Sequence, residues 1–145
     1  MTRSTVDEGS ATVEFAMLSL LLLVPFTYVL LTVFQIQRAA YGVTEAAREG
    51  ARAFVTAQSG DLAQPRLDAA VTLALHDQGL EPPGVQVRLG CSMRPCLTPG
   101  ATVTVTVDDQ VELPWIPALL GRPVASVLVR AVQVQTVDVF RAARP

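Results

Sequence analysis

A chain of 145 residues has room for one domain and a modest appended segment. Half of the residues are hydrophobic and only 17% are charged, where ordinary soluble domains are about a quarter charged, so an apolar segment dilutes the average. The net charge of −2 supplies no basic surface for nucleic acid, and a single histidine leaves no histidine-based metal cluster.

The first predicted element is a long apolar helix. Phe15 to Gln37 form 23 consecutive residues without a charge. As a helix they extend about 34 Å, enough to cross a bilayer core. Apolar residues surround the whole circumference, which argues against an amphipathic surface helix. A cleaved secretory signal has a shorter apolar core, about 7–15 residues, behind a basic start. Here the start carries Arg3 together with Asp7 and Glu8, so a retained span is expected. Pro25 lies inside it, and membrane helices tolerate the lost hydrogen bond. Glu14 is set between Ala11-Thr12-Val13 and Phe15. A carboxylate within a membrane helix costs about 2.5–3.5 kcal/mol, so it needs either a partner or hydration at the headgroup level.

The run Gly9-Ser10-Ala11-Thr12-Val13-Glu14-Phe15, opening a long apolar helix, resembles a type IV prepilin signal. With Ala16, Pro25 and the stretch Glu45-Ala46-Ala47-Arg48-Glu49-Gly50-Ala51-Arg52-Ala53, the chain resembles the TadE-like family of pseudopilins of the Flp (tight-adherence) pilus system. The resemblance covers residues 9–57 well. It covers the remainder by element order and by a Val-rich last strand ending near Asp138-Val139-Phe140-Arg141. It implies cutting after Gly9 by a prepilin peptidase on the cytoplasmic side, with Ser10 as the new N-terminus and the helix retained. It implies that Glu14 pairs with the amine of a neighbouring subunit. The implied role is a minor pseudopilin or pilus assembly protein that is not an enzyme and needs no cofactor. Its partners would be the membrane, other pilin-type subunits and the pilus assembly machinery.

The same resemblance places the N-terminus in the cytoplasm and the C-terminal part outside. Arginine counts point the other way, with Arg3 before the span and Arg38, Arg48 and Arg52 after it. Against that, the later arginines alternate with Glu45 and Glu49. A cysteine pair also fits an external domain.

Beyond the span, Ala39–Ala57 is rich in strong helix formers, so one helix is expected from about Ser10 to Ala57. Val43, Ala47, Gly50, Ala51 and Phe54 recur at helical spacing as an apolar face. Glu45, Arg48, Glu49 and Arg52 form a charged stem motif, able to pair at i,i+3 for about 0.2–0.5 kcal/mol each, or simply a solvated face. Ser59-Gly60-Asp61 breaks this helix and can cap a second. The second carries an apolar stripe of Leu62, Leu67, Ala70, Val71, Ala74 and Leu75, with Gly79 as its stop. His76, in its last turn, is read as a solvated residue near the helix dipole rather than as a catalyst. Glu81-Pro82-Pro83-Gly84 reads as a loop.

Strands follow. Val85, Val87 and Leu89 alternate with Gln86 and Arg88, and Thr102, Thr104 and Thr106 alternate with Val103, Val105 and Val107. The hairpin loop between them holds Cys91 and Cys96, either as a loop-closing disulfide or as two free thiols. Asp108-Asp109 reads as a turn at a strand end. Val111–Gly121 is an apolar, proline-broken loop with the only tryptophan, Trp115, either an exposed contact or a cover for the sheet. Ser126–Phe140 is a third strand whose alternation changes phase between Ala131 and Val132, a hint of a bulge.

The expected fold class is α+β: a long N-terminal transmembrane helix, a short second helix, and a small antiparallel sheet of about three strands. Such a sheet needs a helix across its apolar face, and the amphipathic half of the first helix would make the fold pilin-like. The expected organisation is a leader (1–9), a transmembrane helix (10–37), a helical stem (38–57) and an extracytoplasmic domain (58–145). No phosphate-binding glycine motif and no GxSxG elbow is present. The rival readings are a membrane-anchored extracytoplasmic binding module with the helix as a tether, and a secreted enzyme with an atypical signal.

Overall fold

A computed structural model describes residues 7–81, 84–113 and 126–141. Its elements are α1 (Asp7–Val55), α2 (Gly60–Asp77), β1 (Val85–Cys91), β2 (Thr102–Glu112) and β3 (Ser126–Thr136). The class is α+β, with the helices first and a three-stranded antiparallel sheet, ordered β1-β2-β3, after them.

The chain divides into two units, residues 1–34 and 35–145, and α1 contributes to both. In the first unit α1 runs without a break through Pro25. Its apolar stretch is long and apolar enough to cross a membrane, with a mean hydropathy of 2.3. None of it is buried by the protein: Phe15, Leu18, Leu21 and Phe26 are all exposed. The leucine and phenylalanine side chains of this stretch thus expose apolar surface that no other described element covers. Thr32 bends its hydroxyl back to the carbonyl of Tyr28, 2.9 Å away, and so satisfies itself within the helix.

The second unit starts with a helical hairpin. The later part of α1 buries Ala39, Val43, Ala46, Ala47, Ala51 and Phe54, a face built mostly of alanine. Glycines let α2 come closer still. A Cβ on Gly50 would lie 2.6 Å from Val71 Cγ2, and one on Gly42 would lie 2.4 Å from Leu80 Cδ1. The helices run antiparallel, since Gly50 meets Leu67 and Val71 while Gly42 meets Gln78 and Leu80. α2 ends in a Schellman arrangement: Gly79 (φ 65°) donates to the His76 carbonyl and Leu80 to that of Leu75. That turn aims Leu80 back at α1. The start of α2 differs from expectation, because the Ser59 side chain makes no capping hydrogen bond.

α2 buries Ala63, Leu67, Val71, Ala74 and Leu75. Leu62, predicted on this stripe, is 46% exposed and Ala70 is half-buried, because Ala63 takes the inward position. Against this hairpin lies one face of the sheet, with Val103, Val105 and Val107 of β2 fully buried in the same core cluster. The opposite face of β2 carries Thr102, Thr104 and Thr106, half-buried.

Three strand expectations are corrected. β2 and β3 pair without interruption from Thr102↔Thr136 to Glu112↔Ser126, so there is no bulge at Ala131–Val132. The phase change is in the side chains: Val129 and Ala131 face the core, while Val132 and Val134 face outward and are more than half exposed. β3 also stops at Thr136 rather than Phe140. Val137 continues with a bridge to Ala101, and Asp138–Phe140 turns, with Asp138 Oδ1 accepting from the Phe140 N–H. Asp108-Asp109 is not a turn, because β2 extends through both to Glu112. Pro82, Pro83 and the segment from Pro114 through Trp115 to Gly121 lie outside the described residues.

Candidate functional site

The N-terminal motif falls within regular helix. Gly9, Ser10 and Glu14 all belong to α1, with Ser10 and Glu14 about one helical turn apart. Glu14 is exposed and is followed at once by the uncovered Phe15. The motif therefore places the Glu14 carboxylate at the start of an uncovered apolar surface.

The stem motif lies on the opposite side of α1 from the core. Glu45, Arg48 and Arg52 are exposed and Glu49 is half-buried. Their i,i+3 pairing does not form: among the described residues the ion pairs are two, both on Asp108. In water the Coulomb gain of such pairs is close to the side-chain entropy lost in holding them, so solvated charges are a physically equivalent outcome.

Sequence reasoning missed the arrangement around Asp108. Strand alternation places it on the sheet face turned away from the helices, directly between Gln86 of β1 and Arg130 of β3. Arg88 NH2 donates to Asp108 Oδ2. Arg130 donates through Nε to Oδ1 at 2.7 Å and through NH2 to Oδ2 at 3.2 Å, a bidentate grip. The carboxylate is 7% exposed beneath guanidinium groups that remain 56% and 51% exposed. The hydrogen bond from Arg130 holds the Asp108 carboxyl below its usual range; desolvation opposes it, and smaller contributions from the charges of both arginines and the Arg88 hydrogen bond add to the lowering. The carboxylate in turn raises the Arg130 pKa. The readable signal was that Arg88, Asp108 and Arg130 share the phase of the outward residues on three successive strands.

Asp109, one residue on, faces the core side and is 8% exposed. Burial pushes its carboxyl up, offset in part by a hydrogen bond from the Gln110 backbone.

The C-terminal part ties down the helix end. Arg141 donates from NH1 to the Val55 carbonyl at 2.8 Å and from NH2 to the Ala57 carbonyl. Two of the otherwise unpaired carbonyls at the end of α1 are thereby satisfied by a residue 86 positions away in the chain or nearly so. Cys91 and Cys96 are joined by a disulfide that closes the β1–β2 loop. That loop, the α1–α2 turn and Leu89 enclose an open, mainly apolar cavity of about 620 Å³ with Phe54, Gln64 and Leu97 in its wall. His76 is exposed on α2, away from the cavity lining. Among the described residues no group of three or more His, Cys, Asp or Glu side chains could hold a metal ion.

The described residues present two uncovered surfaces, a membrane-length apolar helix face headed by a carboxylate and a sheet face with two arginines over a buried aspartate. No family model, curated protein or solved structure matches the chain.

Proposed function

We propose that this chain is a minor pseudopilin or pilus assembly protein of TadE-like type, anchored by one transmembrane helix and acting through contacts with other subunits. One observation carries the reading. A Gly9–Glu14 motif of prepilin type opens a helix whose apolar part no other described element covers, while its later part, Ala39–Phe54, is core of a small α+β unit. A helix serving as membrane anchor and domain core at once is the economy of a pilin. An amphipathic helix packed across one face of an antiparallel sheet supports a pilin-like description of the second unit.

In this reading a prepilin peptidase cuts after Gly9 on the cytoplasmic side. The Ser10 amine thus released meets Glu14 of a neighbouring subunit, giving the carboxylate the partner that a lipid surrounding demands. The second unit stands outside the cytoplasm, where a disulfide between Cys91 and Cys96 persists. Intact-mass measurement of the protein extracted from its native membrane tests this. The expected species starts at Ser10, and Gly9→Asp leaves the leader attached. A native protein retaining residues 1–9 would remove the pseudopilin reading.

A further inference from the structure

We propose that the cavity beside the Cys91–Cys96 loop is filled by Phe140 of a second copy of the chain. The inference rests on the membrane anchoring in the proposed function, not on cleavage after Gly9, and it names a contact between subunits outside the membrane.

Phe140 is 92% exposed, more than any other large hydrophobic residue among those described. A single exposed aromatic on a loose segment needs no explanation. This one is held in place. Its N–H donates to Asp138 Oδ1 at 2.9 Å, and the Arg141 N–H donates to the Asp138 carbonyl at 3.2 Å. The Arg141 guanidinium ties the turn to the Val55 and Ala57 carbonyls. Val139 packs over Gly100, where an added Cβ would lie 3.6 Å from Val139 Cγ1. The next residue, Arg141, lines the cavity, but Phe140 is not among the cavity's walls. A fixed turn thus keeps an apolar ring in water beside an apolar hollow that the ring does not enter.

The hollow suits such a ring. Its volume is about 620 Å³, and about 150 Å³ is enough for benzene. A phenylalanine side chain therefore enters with room for its neighbours. Leu89, Leu97 and the buried Phe54 give apolar walls, and the exposed Asp61 and Gln64 are among the polar ones. An apolar centre with a polar border is the form of an energetic hot spot between proteins.

A second copy is the occupant that the placement favours. Ring and cavity share one end of the second unit because both are built on the end of α1: Phe54 is in the cavity wall, and Arg141 holds the Val55 carbonyl. That end is about 30 Å of helix from Gln35, where the chain enters the unit. Copies anchored in one membrane therefore present ring and cavity at one level, and every copy carries both halves of the contact.

The test uses the full chain in its native membranes with p-benzoylphenylalanine in place of Phe140. Illumination is expected to give a cross-linked dimer, with the joined residue in the 54–64 or 89–99 stretch of the other copy. Gln64→Trp, which puts an indole into the cavity mouth, should reduce the dimer several-fold. Leu73→Trp, on exposed α2 surface outside the cavity, should leave it unchanged. In detergent, Phe140→Ala should weaken self-association about 10- to 100-fold by sedimentation equilibrium, the loss expected for one buried aromatic side chain. No dimer, a cross-link to lipid or to a different protein, attachment elsewhere on the second copy, or a dimer indifferent to Gln64→Trp overturns the proposal. Protease resistance equal to the parent's verifies folding of each variant. Alkaline carbonate extraction of the same membranes separates the two ideas: an integral chain without the dimer sinks this contact only, and a dimer on chains that carbonate releases sinks the anchoring only.

Discussion

Asp108 and Asp109 are neighbours in the chain with opposite physical situations. Asp108 is depressed by the Arg130 hydrogen bond, so the folded state holds its proton less tightly than the unfolded chain. Its contribution to stability is complete above the ordinary carboxylate pKa of about 4 and fades as pH falls through it. Asp109 is raised by burial, so its folded state binds the proton more tightly. Its charge becomes a growing penalty as pH rises through the interval above about 4. The two asparagine variants should therefore shift stability in opposite directions. Asp108→Asn should lower the urea midpoint at neutral pH and flatten the acid side of the profile. Asp109→Asn should raise the neutral midpoint and bring it nearer the mildly acidic value. Denaturation of the full chain in detergent between about pH 3 and about pH 8 measures both. Arg141 makes a third case. Its removal leaves the Val55 and Ala57 carbonyls without these donors, and Arg141→Ala should cost about 1–3 kcal/mol in the same assay, with Arg141→Lys recovering part of it.

Among the elements, the hairpin of α1 and α2 depends on two glycines more than on apolar bulk. Gly50→Ala improves intrinsic helix propensity by about 0.8–1 kcal/mol, yet its Cβ would sit 2.6 Å from Val71 Cγ2 inside the core. Overpacking of that kind costs about 1–3 kcal/mol, so the net change should be a loss. Gly60→Ala meets nothing within 4 Å and should not destabilise. Thermal unfolding of the two variants side by side separates packing from propensity. The same contrast shows what sequence could and could not convey. Element type was legible because period 3.6 and period 2 are strong signals: Val43, Ala47, Ala51 and Phe54 are all buried, and Val103, Val105 and Val107 all face the core. The face assignments that failed did so where polarity misled. Two adjacent aspartates looked like a turn, although strand phase continued through them and put each on a different face. The phase change between Ala131 and Val132 looked like a bulge, although the register runs unbroken and carries Val132 and Val134 outward. Ion pairs and covering partners depend on residues far apart in the chain, and local pattern holds no information about them.

For the whole molecule, the proposed function raises the question whether the apolar part of α1 is an anchor only or a contact surface as well. Among the described residues nothing covers it, and lipid alone would satisfy its leucines. Glu14 is what separates the two cases, because lipid cannot satisfy a carboxylate. Replacing residues 15–37 by a Leu/Ala helix of equal length keeps Gly9, Glu14 and the hairpin while erasing side-chain detail. Should this variant still enter assemblies, the span contributes length and apolarity only. Glu14→Ala is then the decisive companion. If a subunit amine is its partner, the variant inserts at normal levels but loses the pairing that offsets about 2.5–3.5 kcal/mol of burial cost. That is a factor on the order of 100 in the association constant, read as loss of co-purifying subunits and of surface pili. Glu14→Asp should recover little, since a side chain one methylene shorter withdraws the charge from a neighbour's amine. A tether predicts the reverse for the alanine variant, easier insertion and unchanged association, because removing a carboxylate from lipid is then pure gain.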